Sequence, residues 1–499
     1  MLTVGGKLEQ AWKARDPRFD GRFFIGVRTT GVYCRPVCRE RMPREENVTF
    51  FDSAAAASEA GYKPCLRCRP ESAPGTPAWR GPSTTVTRAL RLINNGALDD
   101  GSVVALCERL GVTALYLDRS FTNHLGASPK TVAQTRRLQF AKKLIDETSL
   151  GMTDIALSSG YSSIRRFNEH FVQTYNRSPN SLRKTRAAAA EGIELKISFR
   201  EPYDFQSLLE FYRIRAVPGV ENVSVDPALS ENVFLDNALS DNVFLDNAPK
   251  SYERSFVLDG KSGHLSVSNF GGQLVCVVQG GHTRSLMKIM SKVRSMFDVD
   301  AVPEAINSVL CEDRIMRKLV KKRPGLRLPG AFDEFETAVR AIVGQQVSVK
   351  GATTVMGRIA DQYGVQTEYG RVFPSAEMLV DLNPAMLPMP LKRATAIKLL
   401  AVAVADGELE FDADEQVLYD QMIAIPGIGP WTAQYVCLRA LSNPDAFLHG
   451  DLVIRKVAEK ILGVSSEKEL IKTAEAWRPW RGYAGMHLWR ASADPIVVK

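Results

Sequence analysis

The sequence predicts a multidomain α+β protein. Its expected parts are a small four-cysteine domain, an all-α domain with a doubled helix-turn-helix pattern, and a unit in which a small α/β subdomain precedes an all-α subdomain built on a helical hairpin. Three observations predict this. The chain has 499 residues, far more than one hydrophobic core usually serves. Four of its eight cysteines fall within the first 70 residues. Beyond them the apolar pattern changes from helical to strand-like and back to helical.

The cysteines come as two close pairs, Cys34-Arg-Pro-Val-Cys38 and Cys65-Leu-Arg-Cys68, while Cys107, Cys276, Cys311 and Cys437 are scattered singly. Each short loop lets two thiolates converge on one metal, so the pairs fit a single tetrahedral zinc site. Two disulfides are the alternative, less suited to a reducing compartment. The single cysteines read as small buried apolar residues.

After a Pro/Gly-rich bridge at 71–82, two similar helical units follow, through residue 186. In the first, Ser102–Gly111 reads as a helix and turn, followed by a helix with Leu117, Arg119 and Phe121 and then Gly126-Ala-Ser-Pro129. In the second, Met152–Gly160 precedes a helix with Arg165, Arg166, Phe167 and Phe171, then Arg177-Ser-Pro179. A small residue inside the first helix and glycine at the turn let two helices cross closely, as helix-turn-helix modules require. A generic helical bundle is the competing expectation.

Ala187–Ala190 reads as a helix end or linker. Strand-like segments then appear at 194–199, 255–258 and 274–278. Residues 228–237 recur almost unchanged as 238–247, a period too short for repeat architectures, which suggests a duplicated surface loop. From Phe332 onward amphipathic helices are expected around 333–363, 392–406, 430–442, 451–462 and 467–478.

Composition narrows the function classes. The chain is 45% hydrophobic, 24% charged and 8% aromatic, an ordinary globular balance, and no apolar run approaches membrane-spanning length. The start has no signal-peptide pattern, so a cytoplasmic location is expected and no membrane partner. The net charge of +8 is asymmetric: residues 1–190 carry 29 Lys and Arg against 17 Asp and Glu, and the remainder 35 against 39. A basic first part beside a mildly acidic second suggests polyanion binding by the first.

The most informative later stretch is Ile425-Pro-Gly-Ile-Gly-Pro-Trp-Thr-Ala433, lying between two apolar helices. It reads as a helix-hairpin-helix in which Gly427 and Gly429 let backbone N–H groups, with Thr432 at the start of the second helix, approach a DNA phosphate. Downstream, Phe447-Leu-His-Gly-Asp451 sets a carboxylate at a helix entrance, where Asp is most often an N-cap.

This hairpin, Asp451 and the tail Trp477-Arg-Pro-Trp-Arg-Gly-Tyr-Ala-Gly-Met-His-Leu-Trp489 resemble the helix-hairpin-helix superfamily of DNA glycosylases, and within it the AlkA-type 3-methyladenine DNA glycosylase II. Glu201-Pro-Tyr-Asp, Arg327-Leu-Pro-Gly-Ala-Phe-Asp-Glu-Phe-Glu and Ala341-Ile-Val-Gly-Gln-Gln-Val-Ser-Val match as well, so the resemblance covers about 193–499. It implies a flipped, alkylated base held by Trp431, Tyr435 and Trp489 while its N-glycosidic bond is hydrolysed. Asp451 would stabilise the oxocarbenium-like sugar and help an attacking water. Related bifunctional enzymes carry a Schiff-base lysine where Trp431 stands here, so the implied product is an abasic site with no lyase step. Two departures stand out. Gln346 occupies the place of the apolar wedge that fills the gap left by the flipped base, and His449-Gly450 replaces the usual Pro-Asp before the acid.

The first part has its own resemblance. Thr29-Thr-Gly-Val-Tyr-Cys34-Arg-Pro-Val-Cys38-Arg, Arg44-Glu-Glu-Asn-Val-Thr-Phe50 and Gly61-Tyr-Lys-Pro-Cys65-Leu-Arg-Cys68 look like the zinc domain of the Ada methylation-response family. The doubled helix-turn-helix resembles the AraC-type DNA-binding domain that follows it there. The resemblance implies one zinc held by Cys34, Cys38, Cys65 and Cys68, with Cys34 accepting a methyl group from a DNA methylphosphotriester. It also implies promoter binding through residues such as Arg119, Arg165 and Arg166, and RNA polymerase as a further partner. No cysteine is followed by histidine, so the second, Pro-Cys-His-Arg methyltransferase of that family is not expected. The expected domains are 1–75, 83–186, 193–303 and 304–499. Two other functions compete: a transcription regulator whose C-terminal domain senses damaged DNA without catalysis, and a repair enzyme whose N-terminal half only tethers it to DNA.

Overall fold

The computed structural model describes residues 4–74, 84–99, 101–183, 192–225 and 250–492. The Ala-rich junction and the duplicated 228–247 segment lie outside them. Contacts divide the chain into two units: Met1–Arg200 with Gly271–Arg294 and Val299–Ala301, and Glu201–Phe270 with Ser295–Asp298 and Val302–Lys499.

The first unit opens with a helix, Val4–Lys13, and a sheet of strands β1 (Phe24–Val27), β2 (Val32–Cys34), β3 (Val48–Phe51) and β4 (Lys63–Pro64) in the order β3-β1-β2-β4. Its cores are aromatic: Trp12, Phe19, Phe23 and Ile25 lie on one face, Phe24 and Tyr33 on the other. Successive side chains of a strand point to opposite faces, so Phe24 and Ile25 can serve two clusters.

The helical part repeats at a fixed offset. The helix Ala114–Leu125 is capped by Thr113 and buries Leu117, Phe121 and Leu125. The helix Ile164–Tyr175 is capped by Ser163 and buries Phe167, Phe171 and Tyr175, each fifty residues later. Both end in a left-handed residue, Gly126 and Asn176, and both are followed by a Ser-Pro start, Ser128-Pro129 and Ser178-Pro179. Phe121, Phe167 and Phe171 are fully buried, each contributing roughly 2–3 kcal/mol of apolar burial. The partner helices Val103–Leu110 and Met152–Ser158 complete two helix-turn-helix units, and the long helix Pro129–Glu147 joins them.

A charged cluster ties the cysteine domain to that joining helix. Arg69 Nη2 lies 2.9 Å from Asp146 and its Nε 3.2 Å from Glu71, while Lys142 pairs with Asp146 at 2.5 Å and Lys143 with Glu147 at 2.9 Å. Nearby, Ser53 Oγ donates to Leu125 O at 2.7 Å. Strands β5 (Ile193–Ser198) and β9 (Gln273–Gly280) also belong to this unit and pair antiparallel, Ile193 opposite Val278. Cys276 is fully buried on β9, the apolar role expected of it.

In the second unit, β6 (Glu221–Ser224) pairs antiparallel with β7 (Ser251–Leu258), which forms a hairpin with β8 (Lys261–Phe270). Asp259 and Gly260 both have positive φ, as a two-residue turn of the favoured hairpin hand requires. The helices expected downstream are present as Glu334–Val343 and Val349–Tyr363, Leu391–Ala405, Glu415–Ala424, Pro430–Ala440, Leu452–Leu462 and Glu467–Ala474, and a further helix, Arg481–Ala491, follows them. Among the described residues, no helix is long and apolar enough to cross a membrane.

Candidate active site, metal centre and nucleic-acid interface

The hairpin joins Glu415–Ala424 to Pro430–Ala440. Gly427 has φ +97, and a Cβ there would meet Ala396 Cβ at 3.0 Å and Lys392 O at 3.3 Å, so the connection needs glycine to lie against the Leu391–Ala405 helix. Gly429 caps the second helix with no atom within 4 Å of where its Cβ would be. That open approach suits a phosphate, because the first-turn amides of a helix lack intrahelical partners. Thr432 differs from expectation in one respect: the residue is 1% exposed, so its hydroxyl is not presented to DNA.

Trp431 and Tyr435 stand one helical turn apart on that helix, so they share a face. Their rings stack, with centroids 5.3 Å apart and planes 26° apart. Asp451 caps Leu452–Leu462, its Oδ1 accepting from Val453 N at 2.9 Å and Ile454 N at 3.0 Å. Two indoles then converge on the same carboxylate: Trp489 Nε1 donates to Oδ1 at 2.8 Å and Trp431 Nε1 to Oδ2 at 3.1 Å. Four N–H donors thus fix the carboxylate's orientation. The expected residues Asp451, Trp431, Tyr435 and Trp489 form one cluster. Phe211 adds a ring 6.4 Å from Trp489.

Behind the aromatic cluster lie cations that the sequence did not reveal. Arg439 Nη1 donates to Tyr435 Oη at 2.6 Å, while its Nε and Nη2 hold Pro329 O and Gly330 O at 2.5 and 2.8 Å. Arg215 lies 3.9 Å from the Phe211 ring centroid. Burial pushes the Tyr435 hydroxyl up, but the guanidiniums of Arg439, Arg215 and Arg340 outweigh it and leave the phenol below its ordinary range. Arg439 stands one further turn along from Tyr435, the one spacing that could have flagged it.

His449 Nδ1 lies 2.6 Å from Glu467 Oε1, fastening the loop ahead of Asp451 to the start of the helix Glu467–Ala474. Gln346 is exposed with φ +53, in the short turn between Glu334–Val343 and Val349–Tyr363. An exposed left-handed residue at a helix connection is free to enter a DNA groove.

In the first unit, β2 runs parallel to β4 with Val32 opposite Lys63 and Tyr33 opposite Pro64. The next pair in this register is Cys34 and Cys65, and Cys65 N donates to Tyr33 O at 3.0 Å. Cys38 and Cys68 close the group from the following turns, so the four Sγ atoms lie within 4.8 Å of one another. Four soft donors at this spacing fit zinc and no hard cation. All four cysteines are unbridged, which removes the disulfide alternative. Mutual hydrogen bonding, chiefly from Cys34, brings Cys38 down to about 7. Arg35 N donates to Cys68 Sγ at 3.4 Å, and its guanidinium pairs with Asp20. Cys34 is half-buried, whereas Cys65 is buried.

The helix-turn-helix face carries Arg119, Arg165 and Arg166, all exposed. Leu115 and Tyr116, at 61% and 51% exposure, lie beside Arg119 on the first of these helices, and Ile164 begins the second. Arg165 Nε reaches Glu169 at 2.9 Å, and Arg166 Nη1 reaches Ser162 Oγ at 3.4 Å.

Family models match three segments: the metal binding domain of Ada at residues 7–71, a helix-turn-helix domain at 106–185 and the AlkA N-terminal domain at 194–333. A probable bifunctional transcriptional activator/DNA repair enzyme AlkA of Mycobacterium tuberculosis is 38% identical over 502 residues, 98% of this chain and 96% of that protein. The chain belongs to this bifunctional AlkA family. DNA-3-methyladenine glycosylase 2 of Escherichia coli is 31% identical over 59% of this chain and 95% of its own length. The bifunctional transcriptional activator/DNA repair enzyme Ada of Escherichia coli is 35% identical over 31% of this chain and 42% of that protein. Among solved structures, a 3-methyladenine DNA-glycosylase from Archaeoglobus fulgidus shares the fold, with a TM-score of 0.50 at 19% identity over 60% of this chain and 98% of that one. In this AlkA family member the four-cysteine group is a zinc site.

Proposed function

We propose that Asp451 is the catalytic carboxylate of a monofunctional DNA-3-methyladenine glycosylase, joined in one chain to a zinc-containing, DNA-binding transcription activator. The observation that carries this is the pair of indole N–H groups converging on Asp451 at 2.8 and 3.1 Å. A carboxylate held this firmly is preorganised to face positive charge developing on a sugar. In water it would reorient instead. Trp431 and Trp489 serve twice, as donors to Asp451 and as the walls against which an electron-poor base stacks. Tyr435 backs Trp431. The hairpin amides of Gly427, Gly429 and Thr432 hold the backbone, and Gln346 fills the space the base leaves.

The indole role has its own test. Trp431→Phe and Trp489→Phe keep a stacking ring but remove the donor, so each is expected to slow base release about 10–100-fold, from a loss of about 1.5–3 kcal/mol per charged hydrogen bond. Single-turnover release of 3-methyladenine measures this. Rates within twofold of wild type would mean the indoles do not orient the acid.

In the first unit, Cys34 is the methyl acceptor. Its sulfur attacks the methyl carbon of a methylphosphotriester, an S–C bond forms, the C–O bond breaks, and a phosphodiester anion leaves. Zinc, when bound by Cys34, Cys38, Cys65 and Cys68, keeps the thiols ionised at neutral pH. The half-buried position of Cys34, beside Arg35, supports access by a DNA backbone. Because the thioether does not hydrolyse, each chain reacts once.

Promoter DNA is read through the two exposed helices, with RNA polymerase as the partner of activation and the cytoplasm as the location. We propose domain bounds of 1–75, 83–186, 193–303 and 304–499 from the sequence motifs, whereas contacts alone group 193–200 and 271–294 with the first unit. Replacing Arg165 and Arg166 together by alanine is expected to weaken promoter binding and flatten its dependence on salt by about one to two units in log–log slope. A gel-shift titration across salt concentrations measures the slope, and an unchanged slope would exclude the pair from phosphate contact.

A further inference from the structure

We propose that Gln345 is a positioning residue for base eversion, its side-chain amide coupling the turn that carries Gln346 to the helical hairpin that grips the DNA backbone. The inference rests on the glycosylase reading.

Only Gln345, Gln346 and Val347 separate Gly344, which closes the Glu334–Val343 helix, from Ser348, which opens the next. Neighbouring side chains in so short a turn must serve different directions. Gln346 is exposed and left-handed, a conformation that costs a non-glycine residue about 1–2 kcal/mol and persists only when its surroundings hold it. Gln345 is half-buried and supplies that hold. Its Nε2 donates to Gly427 O at 3.1 Å and to Thr432 Oγ1 at 2.9 Å. One amide therefore spans both parts of the hairpin, the connection and the first turn of its second helix. The buried Thr432 hydroxyl, unavailable to DNA, is explained by this bond.

A second tie fixes the turn's backbone. Arg393 Nη1 donates to Gln345 O at 2.6 Å and to Val343 O at 3.1 Å. Arg393 stands on the helix against which Gly427 packs. The turn and the hairpin are thus braced to one helix and, through Gln345, to each other. When the hairpin amides seat on a phosphate, the exposed residue of the turn is held at a set distance from it. Without the Gln345 amide, Arg393 still ties the turn's backbone to that helix, but the direct tie between the turn and the hairpin is lost and their register loosens.

The test uses the full-length protein with Gln345→Leu, Thr432→Val and the double variant. Three quantities are read: single-turnover release of 3-methyladenine, fluorescence of 2-aminopurine placed beside a tetrahydrofuran abasic analogue, and affinity for undamaged duplex. Gln345→Leu is expected to lower release about tenfold, the size of one or two net hydrogen bonds. It should also reduce the 2-aminopurine amplitude, with Tm and undamaged-DNA affinity unchanged. The double variant should be no worse than Gln345→Leu, because the bond that Thr432→Val removes is one of the two that Gln345→Leu already removes. The proposal is overturned by wild-type release and fluorescence in Gln345→Leu, by additive effects in the double variant, or by Tm and undamaged-DNA affinity falling in step with release. A wild-type protein that releases no base would sink the glycosylase reading itself. Release by wild type with Gln345→Leu unaffected sinks only this inference.

Discussion

Asp451→Asn is expected to lower release of 3-methyladenine from methylated duplex DNA at least about a hundredfold while leaving the fold and DNA affinity intact. Asparagine caps helices about as well as aspartate, so its carbonyl can keep the bonds from Val453 N and Ile454 N. The other end of the group is the problem. Where Oδ2 accepts from Trp431 Nε1, the variant presents an N–H₂ to an N–H, two donors facing each other. It also removes the negative charge opposite the developing sugar cation, and loss of one such preorganised partner costs about 10²–10³ in rate. Asp451→Ala is a poorer test, since it removes the cap and would lower stability by about 1 kcal/mol as well. Equal binding by wild type and variant, with release only by wild type, establishes catalysis at Asp451. If both bind methylated DNA and neither releases base, the C-terminal part senses damage without catalysis.

How much of this was legible in the sequence depends on how local each feature is. The cysteine quartet, the hairpin and the Asp451 cap are written in spacings of a few residues and in glycines whose backbone no other residue matches. The fifty-residue correspondence of Leu117 and Phe167, Phe121 and Phe171, and the capping Thr113 and Ser163 is visible by aligning the chain with itself. Strand β8 went unrecognised because only Gly263, Leu265 and Val267 of its alternating positions are buried, too weak an apolar signal. The Asp259-Gly260 turn would have been the better clue. The arginines behind Tyr435 were hidden for a different reason. Arg215, Arg340 and Arg439 are far apart in sequence and meet only through tertiary packing, and buried guanidiniums carry no periodic signature. Trp431 and Trp489 were expected as stacking surfaces, and the sequence pointed to the right rings. Their N–H groups acquire a function only once Asp451 is placed between them. Gln345 and Gln346 show the same limit at closest range: adjacent identical residues, one facing solvent and one bonded to the hairpin, differ only in the backbone turn that separates them.

Methylation of Cys34 is expected to tighten promoter binding about fivefold, with the gain shrinking as salt rises. Four thiolates on a zinc dication carry a net charge of about −2, and a phosphate approaching Cys34 meets that charge. Conversion of one thiolate to a neutral thioether halves it. At about 4 Å a unit charge interacts with another by about 1 kcal/mol in water and by about 4 kcal/mol in a partly excluded environment. Cys34 is half-buried, so a value near the lower end applies, and about 1 kcal/mol corresponds to about fivefold in affinity. Arg35, whose guanidinium is held by Asp20, cannot swing away to compensate. Treatment with methylphosphotriester DNA, followed by mass analysis of the Cys34 peptide and a promoter-binding titration at two salt concentrations, measures both halves of the prediction. One added methyl group on Cys34 with tighter, salt-sensitive binding is the expected result, and Cys34→Ser should take up none. A protein whose Cys34 stays unmodified under these conditions has an N-terminal half that only tethers the glycosylase to DNA. Methylation without any change in affinity would mean instead that the charge of the metal centre does not face the phosphates when the two helix-turn-helix units are bound.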